Sequence, residues 1–221
     1  MMLEIPNLLN ADTLEAIQEI AARDELFADG KTTAGWYARD RKHNLQAGDG
    51  GLVAGLLKKV EQTLLQHHLV QIATRPRNIV RLMLSRYDAG MFYGNHVDDA
   101  LMDGQRTDVS FTLFITPPES YQGGALVIDD TAGERHVKLN AGSLFLYPSS
   151  NLHRVEAVTQ GSRLVVVGWL RSYIRDAYQR EILFDLDRTV HTLRDADVGR
   201  DETLTLLLKS RSNLLRLWSE N

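Results

Sequence analysis

The spacing of hydrophobic residues changes twice along the chain. Between residues 11 and 72 they recur at helical intervals. Leu14, Ile17 and Ala21 make one stripe, and Val53, Leu57, Val60 and Leu64 make another. The first stripe opens on Asp12-Thr13-Leu14-Glu15, which has the form of a capping box. The second predicts a helix over roughly 51–72, stopped by TRPRN: Pro76 cannot continue a helix and directs Arg75 towards extended backbone. Between the two, residues 30–50 (GKTTAGWYARDRKHNLQAGDG) are polar and glycine-rich, and read as a long surface loop or a weak hairpin.

After residue 77 the period becomes that of strands. NIVRLMLSRY is a nearly continuous apolar run, as in a strand buried on both faces, whereas DVSFTLFIT alternates Val109, Phe111, Leu113 and Ile115 with Ser110, Thr112 and Thr116. YQGGALVIDD turns at Gly123–Gly124, and HVKLNAGSLFLYP and SRLVVVGWLRS add further strands. Short strands with frequent turns and no intervening helices predict an antiparallel sandwich or barrel. From about residue 173 the helical period returns, with Leu204, Leu207, Leu208, Arg211, Leu215 and Trp218 on one stripe behind Asp201 as a cap. That tail suits either a small bundle on the β-core or a homodimer contact. The expected organisation is α+β: supporting helices and loop at 1–76, a β-core at 77–172 and a helical extension at 173–221.

Composition narrows the chemistry. A chain of 221 residues, 43% hydrophobic and 24% charged, has ample material for one large domain. A formal net charge of −4 gives no electrostatic reason to expect nucleic acid as a partner. No apolar run reaches spanning length and the start lacks a basic, apolar leader, so a cytoplasmic location without membrane contact is expected. There is no cysteine, which removes disulfides, thiolate metal sites and thiol nucleophiles together. Any metal must rest on His, Asp or Glu.

The stretch YGNHVDDA places His96 and Asp98 two apart, a spacing that in a strand puts both on one face, about 6.6 Å apart. Of the remaining histidines, His43, His67, His68 and His191 read as structural or exposed, and His136 as exposed on an alternating strand. His153 differs, because it follows the strand end and turn LYPSSNL. His96, Asp98 and His153 compose a two-histidine, one-carboxylate triad, which covers one face of Fe(II) and leaves positions open; Mn, Co, Ni and Zn also fit such a set. Arg163 begins the apolar strand RLVVVGWL, sharing a face with Val165, Val167 and Trp169, where a guanidinium either snorkels from the strand end to water or captures the carboxylate of a small anionic co-substrate. Tyr87, on the preceding strand, can donate to the same anion. Trp169 lies roughly 20 Å along the strand from Arg163 and reads as core. The segment 93–106 reads as a lid or a solvated loop, and Trp36 and Tyr37 as residues able to close over the site.

Together, Tyr87, Tyr93-x-x-His96-x-Asp98, His153 and Arg163 resemble the prolyl-4-hydroxylase-like branch of the Fe(II)/2-oxoglutarate-dependent dioxygenases. RTDVSFTLFI, YQGGALVIDD, AGSLFLYPSSNLHRV and GWLRSYIRD are similar, over nearly the whole chain, to the PKHD-type hydroxylases. The resemblance implies a double-stranded β-helix (jelly-roll) core. It implies His96, Asp98 and His153 as iron ligands, with Arg163 and Tyr87 binding the distal carboxylate of 2-oxoglutarate. It implies Fe(II), 2-oxoglutarate, O2 and L-ascorbate as cofactors and co-substrates. The reaction implied is hydroxylation of a small molecule or protein side chain with release of succinate and CO2, with a link to bacterial iron uptake. Asp98 favours hydroxylation over halogenation, since a carboxylate there leaves no room for a halide. Ala125 stands where prolyl hydroxylases more often carry an acidic residue, so their substrate does not transfer. Two rival readings are a non-catalytic jelly-roll sensor of metal or anion, and a hydrolase using zinc-bound water.

Overall fold

The computed structural model describes residues 1–33, 35, 39–195 and 202–220. The N-terminal part runs β1 (Leu3–Ile5), α1 (Ala11–Ala21), β2 (Phe27–Asp29), β3 (Lys42–His43), β4 (Leu45–Ala47), α2 (Gly51–Gln66) and α3 (His68–Thr74). The core begins with β5 (Pro76–Asp88), β6 (Phe92–His96), β7 (Leu101–Met102), β8 (Gln105–Arg106), β9 (Val109–Phe114) and β10 (Gln122–Gly123). It continues through β11 (Leu126–Asp130), β12 (Gly133–Val137), β13 (Leu144–Pro148), β14 (His153–Val155), β15 (Val158–Gln160) and β16 (Ser162–Ser172). Helices α4 (Ala177–Asp195) and α5 (Glu202–Trp218) follow.

Two antiparallel sheets face each other, ordered β1-β13-β9-β16-β5-β4-β2 and β12-β11-β14-β6-β3. The period of two explains why the long strands of the larger sheet read as unbroken apolar runs. Leu164, Val166 and Leu170 of β16, Leu144 and Leu146 of β13, and Phe111 and Leu113 of β9 face the helices, packing with Ile17, Val60, Leu64 and Val70. Their neighbours Val165, Phe145, Tyr147 and Phe114 face the other way, towards Leu126, Ile128, Val137 and Val155 of the smaller sheet. Both faces of β9 and β13 and of most of β16 are therefore buried, whereas β5, read from its sequence as buried, is mostly half-buried. Deleting a ring such as Phe145, fully buried, costs about 3–5 kcal/mol. The result is the expected α+β jelly roll with flanking helices.

Several local expectations need correction. The cap of α1 is Asn10, whose Oδ1 accepts from the Thr13 amide at 3.0 Å, because the helix begins at Ala11, ahead of the Asp12 box. The helix expected over 51–72 is two helices, broken at His67, whose ψ of 122° is extended. Arg75 adopts a left-handed conformation (φ 47°, ψ 56°) instead of extended backbone and terminates α3. Residues 42–47 are not surface loop: β3 pairs with β6 in one sheet and β4 with β5 in the other. Residues 101–106 form the small hairpin β7–β8, turning at Asp103 and Gly104 with positive φ. Trp36, Tyr37 and Asp201 lie outside the described residues.

The C-terminal helices pack on the rest of the chain. Asp187 of α4, 9% exposed, is held between Arg75 beyond α3 and Arg211 of α5. Burial, reinforced by Arg211, lowers the Arg75 guanidinium to about 10. No helix among the described residues is long and apolar enough to cross a membrane.

Candidate active site

His96 ends β6 and His153 begins β14, and the two strands pair with these residues directly opposite. The ring centroids lie 4.2 Å apart. Asp98 is not on the strand as expected, since β6 stops at His96; the chain leaves the sheet and returns the carboxylate to the same side. Its Oδ2 comes to 3.8 Å from His153 Nε2, with the side chain 6% exposed. One donor atom from each of the three residues falls within 4.8 Å of the other two.

The hydrogen bonds around the triad set its chemistry. His96 Nδ1–H donates to the Gly94 carbonyl at 2.8 Å, and His153 Nδ1–H to the Asn151 carbonyl at 3.0 Å. Carbonyls only accept, so both imidazoles carry their proton on Nδ1 and keep the Nε2 lone pair for a metal. Burial, then His153, pushes the His96 imidazole down to about 3, which keeps it neutral and able to ligate. Ser110 Oγ donates to Asp98 Oδ2 at 2.6 Å and stands 2.7 Å from Ser149 Oγ, which supplies a proton in turn. Tyr93 stacks on His96 at 3.6 Å and Tyr147 meets His153 edge-on at 5.1 Å. Burial drives both phenols upward, so each stays protonated.

Arg163, the second residue of β16, stands opposite Tyr87 of β5 and lines the same cavity as the triad. It is 1% exposed, and none of its three guanidinium nitrogens has a hydrogen-bond partner. Its charge lies 5.1 Å from the centre of the Tyr87 ring and 5.5 Å from that of Phe114. Gly124 (φ +64°) makes room for it: a Cβ there would approach Val158 Cγ2 at 2.8 Å and Arg163 Cδ at 3.2 Å. Burial raises the Tyr87 phenol to about 12, against the opposing effect of Arg163, so its hydroxyl remains a donor. Two imidazole nitrogens and one carboxylate oxygen beside an orphaned, buried cation fit a divalent metal with an anionic co-ligand.

All five residues singled out in the sequence line one cavity, with about 860 Å³ of space including its open mouth. Trp169 does not simply fill the core: it lines the cavity, and its Nε1 has no partner. The β-bulge after Trp169 lies where β16 leaves simple register with β5. Sequence reasoning missed Ser110, whose strand position looks like ordinary polar alternation, and Ser149, which looks like an ordinary turn residue after β13. It also missed Lys42, Asn44 and Gln46, which line the cavity too. Polar residues at alternate positions of KHNLQ were the available signal. His136 is exposed, as expected, beside Glu134 and Glu156.

Comparison with known proteins agrees with this geometry. The 2OG-Fe(II) oxygenase superfamily matches residues 82–171, and the PKHD-type hydroxylase C-terminal domain matches residues 177–220. The chain is 49% identical to a PKHD-type hydroxylase of Parvibaculum lavamentivorans and 48% identical to one of Acaryochloris marina, in each case over 100% of both chains. A Pseudomonas putida prolyl-4-hydroxylase shares the fold with a TM-score of 0.57 at 22% identity, over 77% of this chain and 92% of that one. HygX from Streptomyces hygroscopicus, with nickel and 2-oxoglutarate bound, does so at 0.56 and 13%, over 78% and 84%. The full-length identity shows that the chain belongs to the PKHD-type hydroxylases, enzymes of the 2OG-Fe(II) oxygenase superfamily, which uses Fe(II), 2-oxoglutarate and O2.

Proposed function

We propose that the protein hydroxylates a C–H bond of its substrate while converting 2-oxoglutarate to succinate and CO2. The balance is one O2 per turnover: one oxygen atom enters the C–H bond to give C–OH, the other enters succinate. The supporting observation is the unpartnered Arg163 guanidinium in the cavity that also holds His96, Asp98 and His153. A bare buried cation costs several kcal/mol, and a carboxylate arriving from the cavity removes that cost on binding.

In this reading His96, Asp98 and His153 hold Fe(II), which with O2 and 2-oxoglutarate supplies the oxidising power no side chain has. The chain's own residues do the positioning. The Gly94 and Asn151 carbonyls fix the ring planes, and Ser110 fixes the carboxylate. Arg163 receives the distal carboxylate of 2-oxoglutarate and Tyr87 donates to the same group, so the co-substrate enters in one orientation. Tyr93, Tyr147 and Phe114 surround the polar atoms with rings that exclude water.

Residues 1–76, 77–172 and 173–221 act in this reading as support, catalytic core and extension, in a cytoplasmic enzyme. We also propose a link to bacterial iron uptake, which growth of a deletion strain under iron limitation tests. The direct test of the reaction is succinate formation from 2-oxoglutarate in air with Fe(II) and ascorbate. Iron-dependent succinate that disappears in His96→Ala supports it. Succinate that persists in His96→Ala and His153→Ala refutes the assignment of the site.

A further inference from the structure

Residues 42–46 invert the usual alternation of an extended segment. Lys42, Asn44 and Gln46 are buried, whereas His43 is exposed and Leu45 half-buried, so three polar side chains point inward at successive i+2 positions. All three line the cavity, and because β3 and β4 belong to different sheets, the segment closes its edge. Gln46 is satisfied by Thr33, Ser85 and Met83. The other two are not.

Asn44 is 2% exposed and neither amide atom has a hydrogen-bond partner. The Tyr87 hydroxyl lies near enough to its carboxamide for that contact to oppose the burial-driven rise of the phenol, and it is one of the groups an incoming ligand would share Asn44 with. It lies against Gly30, where any Cβ would collide with Asn44 Oδ1, so the backbone is shaped to admit this side chain. Lys42 is 4% exposed, and its Nζ donates to Thr33 Oγ1 at 2.9 Å. Among the described residues no carboxylate is within ion-pair distance of it. Its Nζ stands 5.3 Å from the centre of the Tyr93 ring, which stacks directly on His96. Burial lowers the amine to about 8, with Asp98 and Asp29 opposing, so it is mostly charged at neutral pH. A buried ammonium and a buried carboxamide, each short of partners, are expensive unless something enters to meet them.

We infer that this wall binds the substrate, and that the substrate is a carboxylate with an adjacent amide: an N-acyl amino acid or the C-terminal end of a peptide. The inference rests on the hydroxylase reading above. The carboxylate pairs with Lys42, and the amide meets the Asn44 carboxamide, which offers one donor and one acceptor to the complementary N–H and C=O. Lys42 and Arg163 sit on opposite sheets, so the cavity keeps its two anions apart: 2-oxoglutarate at Arg163, substrate at Lys42.

The test uses N-acetyl-L-amino acids and the matching N-acetyl-L-amino acid amides, pairs that differ only in the carboxylate. Binding to the metal-free protein is read by thermal shift and titration calorimetry. At least one acid is expected to bind tenfold or more tighter than its amide; Lys42→Met removes that preference and Lys42→Arg keeps it. The same acid raises succinate formation by the Fe(II)-loaded enzyme. The inference is overturned when amides bind as well as acids or when no member binds. It is overturned equally when Lys42→Met weakens 2-oxoglutarate binding as much as Arg163→Met, which assigns Lys42 to the co-substrate. Should Lys42→Met not fold, the acid–amide comparison in the wild type still decides. Failure of the Fe(II)-loaded wild type to bind 2-oxoglutarate at all sinks the hydroxylase reading, and this inference with it.

Discussion

His96 and His153 are direct cross-strand partners, the last residue of β6 facing the first of β14, with ring centroids 4.2 Å apart. Strand register therefore fixes the distance between the two imidazoles before any metal arrives. A slip of one residue would turn one ring to the opposite face and dissolve the site. Asp98, beyond the strand end, depends instead on a side-chain contact to hold it. That division of labour makes Ser110 the vulnerable point.

Ser110→Ala removes the hydrogen bond at 2.6 Å to Asp98 Oδ2 without touching either imidazole. Metal affinity is expected to fall about 10–100-fold, the usual effect of losing a partner behind a ligand. Thermal stability should fall modestly, by about 1–2 kcal/mol, since buried Ser149 loses the same partner. Anaerobic Fe(II) titration measures the first and a melting curve the second; unchanged affinity contradicts the role given to Ser110.

Arg163→Met should separate stability from function. Methionine fills similar volume without a buried, unpartnered charge, so the ligand-free protein is expected to melt at a higher temperature than wild type. Binding of 2-oxoglutarate should weaken about 30-fold or more, as expected for losing a charged pair worth about 2 kcal/mol or more. A variant that melts lower in the ligand-free state would show that Arg163 has a structural role.

Gly168 sits mid-strand in β16 beside the cavity. A Cβ there would come within 2.5 Å of Phe111 Cζ, 2.6 Å of Leu82 Cδ2 and 2.8 Å of the Arg81 carbonyl. Two of these atoms are side-chain tips and one is backbone, so the strand must shift. Gly168→Ala is expected to destabilise by about 1–3 kcal/mol, measurable by urea unfolding. A neutral effect would mean that the two side chains re-pack freely.

Asp187 joins the C-terminal helices to the end of α3 through Arg75 and Arg211. Asp187→Ala leaves two partly buried cations facing each other, and a loss of about 3 kcal/mol or more is expected. Proteolysis should then cut more readily within α4 and α5 than it does in the wild type. An unchanged cleavage pattern would place the anchoring of these helices in their apolar contacts instead.

The jelly roll was legible in the sequence because β13 and β16 bury both faces, and a strand buried on both faces is apolar at nearly all positions between its turns. His96, Asp98, His153, Arg163 and Tyr87 were legible through their order and spacing, reinforced by family resemblance. What escaped detection depends on non-local geometry. The 42–47 segment looks like a polar loop because its inward side chains are the polar ones, the reverse of what hydrophobic patterning detects. Ser110 is indistinguishable from any outward serine on an alternating strand until Asp98 is seen next to it. The break at His67 and the left-handed Arg75 accompany the packing of α3 against α2 and α4, which helix propensity alone does not encode.

The most direct test of the site is an anaerobic titration of Fe(II) and then 2-oxoglutarate into wild type, His96→Ala and Arg163→Met. One iron per chain and saturable 2-oxoglutarate binding are expected in the wild type. Iron should be lost in His96→Ala, and in Arg163→Met iron should be retained with 2-oxoglutarate binding strongly weakened. Full iron occupancy in His96→Ala, or 2-oxoglutarate binding indifferent to Arg163, would contradict the site.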